Sequence, residues 1–234
     1  MIEARGLHKS FGAKPVLAGI DLVVGQGESL CVIGQSGTGK SVLLKCILGL
    51  ETADAGQILW QGRPLDRAAR PGFLRRFGML FQGAALFDSL TVWQNVAFRL
   101  RQHMPDARAR AIAIEKLARV GLGPETAEMM PAELSGGMAK RAGLARAIAD
   151  DPAVIFFDEP TTGLDPIRAR RINDLIRGIV TETGATAITI THDMTSVRAI
   201  GDRVALLQDG CIAWDGPVAA METAAPLRDF LAAT

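Results

Sequence analysis

A glycine-rich stretch near the N-terminus has the residue types and spacing that bind phosphate. Residues 34–41 read GQSGTGKS, and Gly34, Gly37 and Gly39 let the backbone curl so that its N–H groups point at an anion. Lys40 adds an ammonium group for phosphate oxygens, and Ser41 adds a hydroxyl for a Mg²⁺ ion. The stretch follows a predicted strand and precedes a predicted helix, a context that favours a phosphate-binding loop over a chance glycine turn.

A pair of carboxylates follows an apolar run further along the chain. Residues 154–159 read VIFFDE, so a buried strand would end by presenting Asp158 to a metal ion. The adjacent Glu159 is placed to polarise an attacking water as a general base. The same pair could instead cap a helix. With a phosphate loop upstream, the two stretches together indicate nucleoside triphosphate chemistry.

A serine and two glycines lie between these two stretches and indicate the class of enzyme. Ser135, Gly136 and Gly137 open a helix predicted to run to residue 149, where a hydroxyl and free backbone N–H groups would face an anion. Alone, the triplet would be an ordinary helix cap. Between a phosphate loop and a carboxylate pair, LSGGM at residues 134–138 resembles the signature motif of ABC ATPases. The resemblance extends over nearly the whole chain.

The resemblance also implies roles for single residues that spacing alone would not select. Gln82 resembles the glutamine that contacts Mg²⁺ or the lytic water, and His192 resembles the switch histidine that senses the γ-phosphate. The segment Gly163, Leu164 and Asp165 resembles the loop that passes between two ATP sites, although it could also be a helix cap before a proline. Phe11 occupies the position of an aromatic that stacks on adenine, and packing of an edge strand is the alternative.

The resemblance therefore implies ATP and Mg²⁺ as cofactors and defines three sets of site residues. The expected catalytic set is Glu159, His192 and Gln82. The expected ATP-binding set is Phe11, Gly34, Gln35, Ser36, Gly37, Thr38, Gly39, Lys40, Ser41, Val42, Ser135, Gly136, Gly137 and Asp165. The expected Mg²⁺ ligands are Ser41, Gln82 and Asp158.

The family pattern further implies that the protein works with partners. In the family, the signature of one subunit covers the ATP held by the phosphate loop of another. Because this chain has one copy of each motif, a second copy in a head-to-tail dimer is the simplest way to complete the sites. An integral membrane permease would then couple ATP hydrolysis to transport.

Two local strings indicate which substrate is transported. LFDSLTV at residues 86–92, and the run 130–149 with Met138 where most ABC proteins have Gln, resemble the ATPases of maintenance-of-lipid-asymmetry (Mla) phospholipid transporters. That resemblance implies a mammalian-cell-entry-type lipid-binding partner and places Phe87, Asp88 and Ser89 near the permease. The sequence departs from the lipid family in its C-terminal extension, which is short here and ends near Phe230. Import of amino acids or other polar solutes is the alternative, followed by a soluble ABC ATPase without a transport role.

Composition limits the other classes of function. With 234 residues, 48% hydrophobic residues and a net charge of +1, the chain is an ordinary globular protein without the basic face that nucleic-acid binding needs. The three cysteines match no metal-binding pattern and suit a reducing compartment. No apolar run approaches the ~18 residues of a membrane span. The expected location is the cytoplasm, at the inner membrane through the permease.

Alternating strand and helix patterns predict an α/β P-loop fold with a parallel sheet, an N-terminal antiparallel β-subdomain and an embedded helical subdomain. The core would comprise approximately residues 1–82 and 150–234, and the helical subdomain residues 83–149. Predicted strands cover residues 2–7, 16–24, 29–33, 77–81, 153–157, 186–191, 203–207 and 211–214. Predicted helices cover 40–50, most of 91–149, 167–183 and 194–200.

Overall fold

The computed structural model describes residues 1–232, which form two β-sheets with eight α-helices around them. The strands are β1 (Ile2–Phe11), β2 (Lys14–Val24), β3 (Ser29–Ile33), β4 (Ala55–Trp60), β5 (Arg63–Pro64), β6 (Phe77–Leu80), β7 (Val154–Asp158), β8 (Thr186–Ile190), β9 (Arg203–Gln208) and β10 (Cys211–Pro217). The helices are α1 (Lys40–Leu48), α2 (Arg70–Arg75), α3 (Val92–Val96), α4 (Asp106–Arg119), α5 (Gly136–Ala147), α6 (Pro166–Thr183), α7 (Met194–Ile200) and α8 (Ala225–Ala232).

The first sheet is antiparallel, with strand order β2-β1-β4-β5. It matches the expected N-terminal β-subdomain but has two strands that the sequence did not predict. The sequence predicts only a turn at residues 62–64. In the structure Gln61 and Gly62 form the turn, both at positive φ. This turn joins β4 to β5 in a tight antiparallel hairpin.

The second sheet has the order β10-β9-β3-β8-β7-β6, and its pairs from β9 to β6 are parallel. One departure from the expected parallel sheet is β10, which runs antiparallel to β9 because Asp209 and Gly210 form a tight turn at positive φ. Every residue of β3 is buried. Leu30 packs into an apolar core shared with α1 and the first sheet, whereas Ile33 packs into a second core shared with α3 to α7.

The region between β6 and β7 is helical, as expected, but it is broken into short pieces. α4 begins after Pro105, and the chain between α4 and α5 forms two short 3-10 turns, Pro124–Glu128 and Pro131–Glu133. Proline cannot donate a backbone hydrogen bond within a helix, so these positions favour helix starts and turns. α5 packs against β6 and carries this region on the sheet.

Several helix ends follow from local residue chemistry. α1 ends at Leu48, two residues earlier than predicted, because Gly49 takes a left-handed conformation and caps it. α7 has the predicted bounds.

The three cysteines are free thiols, two of them buried. None of the helices in residues 1–232 combines the length and apolar character that a bilayer crossing requires.

Candidate functional site

The phosphate-loop residues connect the buried strand β3 to α1. Gly34 and Gly39 both have a positive φ, and at each a Cβ atom would meet a backbone carbonyl oxygen, that of Leu207 at Gly34 and that of Val16 at Gly39. Glycine is therefore required at these positions by conformation and by space. The tight turn places the first N–H groups of α1 at the mouth of the loop, where they can face an anion.

The Lys40 side chain folds back over the loop. Its ammonium donates hydrogen bonds to the carbonyl oxygens of Gly34 at 2.7 Å and Gln35 at 2.8 Å. Burial lowers the pKa of Lys40, while the carboxylates of Glu159 and Asp158 act in the opposite direction. The ammonium is thus held between the loop and two acidic groups, where phosphate oxygens could replace the carbonyl acceptors.

The carboxylate pair lies at the carboxyl end of β7, beside the phosphate loop. Burial and the neighbouring Glu159 raise the pKa of Asp158, and three lysines, first among them Lys140, oppose this shift. Glu159 leaves the strand with φ 47°, a left-handed conformation that is uncommon outside glycine. Its N–H donates to the Ile190 carbonyl oxygen at 2.9 Å, which fixes this turn against β8.

Two polar side chains hold the Glu159 carboxylate. His192 Nδ1 lies 2.9 Å from one carboxylate oxygen, a distance at which a protonated Nδ1 donates a hydrogen bond. The Thr162 hydroxyl donates to the other oxygen at 3.0 Å. The Glu159 side chain is only 14% exposed, whereas that of His192 is 60% exposed. The candidate base is therefore oriented within the protein, and the histidine faces outward.

These groups surround one open cleft of about 440 Å³. We call it the phosphate-loop cleft; it is lined by Gly34, Gln35, Ser36, Gly37, Lys40, Ser41, Gln82, Asp158, Glu159, Ile190 and His192. The cleft lies at the carboxyl ends of parallel strands, where open α/β sheets bind their ligands. A hydroxyl, an amide and a carboxylate, from Ser41, Gln82 and Asp158, border it together. Oxygen donors of this kind suit Mg²⁺.

Four expected nucleotide-binding residues do not line this cleft. The Thr38 hydroxyl donates to the Gln35 carbonyl oxygen at 2.9 Å and so braces the loop from within. Gly39 caps α1, and Val42 packs against the core of the first sheet. Phe11 lies at the end of β1 with its side chain 47% exposed, and the Lys9 ammonium lies 5.1 Å from its ring centre. It is available to a ligand from solvent.

The signature residues and Asp165 also lie outside the phosphate-loop cleft. The Ser135 hydroxyl accepts a hydrogen bond from the Met138 N–H at 3.3 Å and caps α5. Asp165 caps α6 by accepting a hydrogen bond from the Arg168 N–H at 2.9 Å, which lowers the pKa of the carboxyl group. Ser135 and Gly136 are exposed, and neither borders the chain's own cleft.

Two residues that contact the catalytic set were not expected from the sequence. Thr162 follows Glu159 by three residues, and only the turn after β7 brings its hydroxyl to the carboxylate. Lys140 lies on α5, far from both strands in sequence, and its ammonium donates to the carbonyl oxygens of Gln82 and Glu159. The first contact depends on the shape of that turn, and the second depends on how α5 packs against the sheet.

Comparisons with solved structures match the fold over nearly the whole chain. The dimeric ABC transporter cassette MJ0796 superposes with a TM-score of 0.85 at 29% identity, covering 93% of this chain and 99% of that one. The same protein in a post-hydrolysis state, bound to ADP and Pi, gives a TM-score of 0.83 at 30% identity and the same coverage. The predicted ABC ATPase fold is therefore confirmed.

Comparisons with curated sequences give two kinds of relative. The probable ribonucleotide transport ATP-binding protein mkl of Mycobacterium tuberculosis (strain ATCC 25618 / H37Rv) is 42% identical over 211 residues, which cover 88% of this chain and 58% of that protein. The methionine import ATP-binding protein MetN of Mesorhizobium japonicum (strain LMG 29417 / CECT 9101 / MAFF 303099) is 43% identical over 216 residues, which cover 91% and 59%. The chain thus spans under two thirds of the length of these relatives.

A family model described as ABC transporter matches residues 17–162. The match runs from β2 through the phosphate loop, the signature residues and the carboxylate pair to Thr162. Together with the fold and the cleft, it means that the chain belongs to the ABC transporter family.

Proposed function

We propose that this chain is the ATP-binding and ATP-hydrolysing subunit of an ABC transporter. The observation that carries the proposal is the convergence of Lys40, Ser41, Asp158, Glu159 and His192 on one cleft at the carboxyl ends of adjacent strands. An ammonium for phosphate, oxygen donors for a metal and an oriented carboxylate are the parts that phosphoryl transfer to water requires.

The phosphate loop and Lys40 bind and orient the triphosphate in this proposal. The backbone N–H groups at the start of α1 and the Lys40 ammonium donate hydrogen bonds to phosphate oxygens, which places the terminal phosphate near the end of β7. Ser41, Asp158 and Gln82 would hold Mg²⁺. That ion, when bound, neutralises charge on the terminal phosphates.

Glu159 acts on the attacking water, and its neighbours set its orientation. The hydroxyl of Thr162 holds one carboxylate oxygen, while His192 lies against the other and can contact the terminal phosphate from the exposed side. The positive φ at Glu159 turns its side chain from the direction of β7 toward the cleft. Such strain at a functional residue is retained only where its surroundings fix it, as the bond to Ile190 does here.

A second copy of the chain completes each site in this proposal. Ser135 and Gly136 are exposed and do not border the chain's own cleft, so in this proposal they contact the ATP held by another molecule. The relative MJ0796 was solved as a dimer. ATP binding closes the head-to-tail dimer, and hydrolysis with phosphate release reopens it. In this proposal, the closing and reopening drive an integral membrane permease. Binding to the permease also holds the chain at the membrane.

Replacement of the candidate base tests the proposal. Glu159→Gln preserves the size and hydrogen-bonding shape of the side chain but removes its basicity. We expect the variant to bind ATP, remain as a closed dimer and turn over roughly 10²- to 10⁴-fold more slowly than the wild type. Steady-state phosphate release and size-exclusion chromatography with ATP measure both effects. Near-normal turnover would exclude Glu159 as the base.

We further propose phospholipid as the transported substrate. The supports are LFDSLTV at residues 86–92 and Met138, which packs partly buried against the core below α5. The first string forms a loop tied to α3, because the Asn95 side-chain amide bonds the backbone of both Phe87 and Leu90. Phe87 and Phe98 stack on the surface there, with ring centres 4.7 Å apart, and offer an apolar site to the permease.

Import of amino acids or other polar solutes is the second candidate. The observation that favours it is the 43% identity to a relative named for methionine import. Purification of the chain with its permease, followed by mass spectrometry of bound lipid, separates the candidates. Bound phospholipid, with a mammalian-cell-entry-type protein in the complex, supports the lipid proposal. Recovery of an amino-acid-binding protein without phospholipid would overturn it.

A further inference from the structure

Lys140 is a buried lysine at a junction between three segments of the candidate site. It lies on the second turn of α5, whose first turn follows Ser135, and only 6% of the residue is exposed. Its ammonium donates to the backbone carbonyl oxygen of Gln82 and, at 3.2 Å, to that of Glu159. One charged group therefore joins the signature helix to the backbone of two residues expected to act in catalysis.

Lys140 lies just beyond the point where the hydrogen-bonded pairing of β6 with β7 ends. The parallel pairing of β6 with β7 has Leu80 opposite Phe157 as its last pair. Two residues further along each strand lie Gln82 and Glu159, beyond the end of that ladder. No backbone hydrogen bond of the sheet joins Gln82 to Glu159. The Lys140 ammonium donates to the carbonyl oxygens of both residues and so connects the two chain segments beyond the end of the sheet.

The charge at this junction is costly to bury. Burial lowers the pKa of Lys140, and the nearby carboxylates of Asp158 and Glu159 oppose this by favouring the ammonium form. A buried ammonium is tolerated only when it is hydrogen-bonded and compensated by opposite charge. An apolar side chain would pack in this position at lower cost. Packing alone therefore does not account for a lysine here, and its two hydrogen bonds to backbone carbonyl oxygens suggest that it positions Gln82 and Glu159.

A second buried lysine in the helical region, Lys116, has no contact with the candidate site. Lys116 on α4 is 5% exposed, but its ammonium pairs with the Asp151 carboxylate at 2.7 Å. Asp151 precedes β7, at the end of the strand opposite to Asp158, and it does not border the phosphate-loop cleft. Lys116 therefore offers a matched control for removal of a buried ammonium from this helical region.

We propose that Lys140 is a positioning residue for ATP hydrolysis, which holds the Gln82 and Glu159 backbones at a fixed separation and links them to the signature helix. The inference rests on the proposed ATPase function. Because α5 begins directly after Ser135, a displacement of the signature on binding the partner's ATP moves Lys140 with it. The signature of each chain is thereby coupled to the base in its own cleft.

Lys140→Met tests the proposal in the full-length chain, because Met keeps the length and apolar stem of the side chain but removes its charge and donors. We expect kcat for ATP to fall roughly 10- to 100-fold, the loss typical of a misplaced catalytic group. We expect KM for ATP to change by less than about twofold, because the phosphate loop and Lys40, which carry most of the ATP binding in this account, keep their contacts. Lys140→Arg, which retains a charged donor, should be faster than Lys140→Met.

Lys116→Met is the control and should keep the wild-type kcat. All variants are measured for phosphate release, ATP affinity and thermal unfolding, with Glu159→Gln as the reference for lost catalysis. Wild-type kcat in Lys140→Met would overturn the inference while leaving the proposed function intact. Parallel losses of Tm, ATP affinity and kcat in Lys140→Met would show a structural role and also overturn it. A wild-type chain that binds ATP without turnover would overturn the proposed function itself.

Discussion

At the scale of single residues, the position of a side chain at the cleft is predictable wherever a local residue pattern adjoins a strand end. The loop around Gly34 and Lys40 and the pair Asp158 and Glu159 each combine a residue pattern with a strand end, so sequence alone placed them at one site. Lys140 was not predictable, because a lysine on a helix is usually a surface residue and nothing local indicates its burial. Its contacts depend on the packing of α5 against two strands.

Lys40→Ala is the prediction that belongs to this scale. Loss of a charged donor to phosphate should weaken ATP binding by about 1.5–3 kcal/mol, or roughly 10- to 150-fold in Kd. Titration with a fluorescent ATP analogue measures the change. Lys45→Ala, which removes an exposed lysine on the same helix, should leave Kd within about twofold. Unchanged affinity in Lys40→Ala would exclude the phosphate-loop assignment.

At the scale of elements, the buried strands and the longer helices were predictable and the short pieces were not. Strands such as β3 and β8 are buried along their whole length and rich in apolar and β-branched residues, because both faces of a parallel sheet are covered. The hairpin of β4 and β5 is short and mostly exposed, so it lacks an apolar alternation. α2 has six residues and one buried side chain, Phe73, too few for a helical period.

Gly78→Ala tests the packing that places α5 on the sheet. A Cβ atom on Gly78 in β6 would overlap the carbonyl oxygen of Ala147 at the end of α5, and backbone cannot move aside as a flexible side chain can. We expect the free energy of unfolding to fall by roughly 1–3 kcal/mol, the usual cost of overpacking. Urea denaturation followed by circular dichroism measures it.

Gly72→Ala is the matched control for that variant. The nearest atom to its added methyl is 3.9 Å away at the end of the Arg75 side chain, and Gly72 lies within α2. Because alanine favours a helix over glycine, this change should be neutral or stabilising by up to about 1 kcal/mol. Equal stability of Gly78→Ala and the wild type would mean that β6 and α5 do not approach as closely as described.

At the scale of the whole molecule, the signature residues lie outside the chain's own phosphate-loop cleft. The phosphate-loop cleft is lined by the loop after β3, the start of α1 and residues at or just beyond the ends of β6, β7 and β8. Ser135 is exposed at the start of α5 and does not border it. No local sequence pattern predicts this separation, since it arises from the way the helical region packs on the sheet. The proposed function therefore depends on two chains.

Mixing of two inactive variants tests that claim most directly. Lys40→Ala removes the phosphate contact, and Ser135→Arg blocks the signature, so each variant alone should form dimers with two defective sites. In a dimer of one of each, one site combines both defects and the other combines the intact phosphate loop with the intact signature. With random pairing, half of the dimers are mixed, and a 1:1 mixture should recover about a quarter of the wild-type ATP turnover. A mixture no faster than either variant alone would contradict the shared-site account.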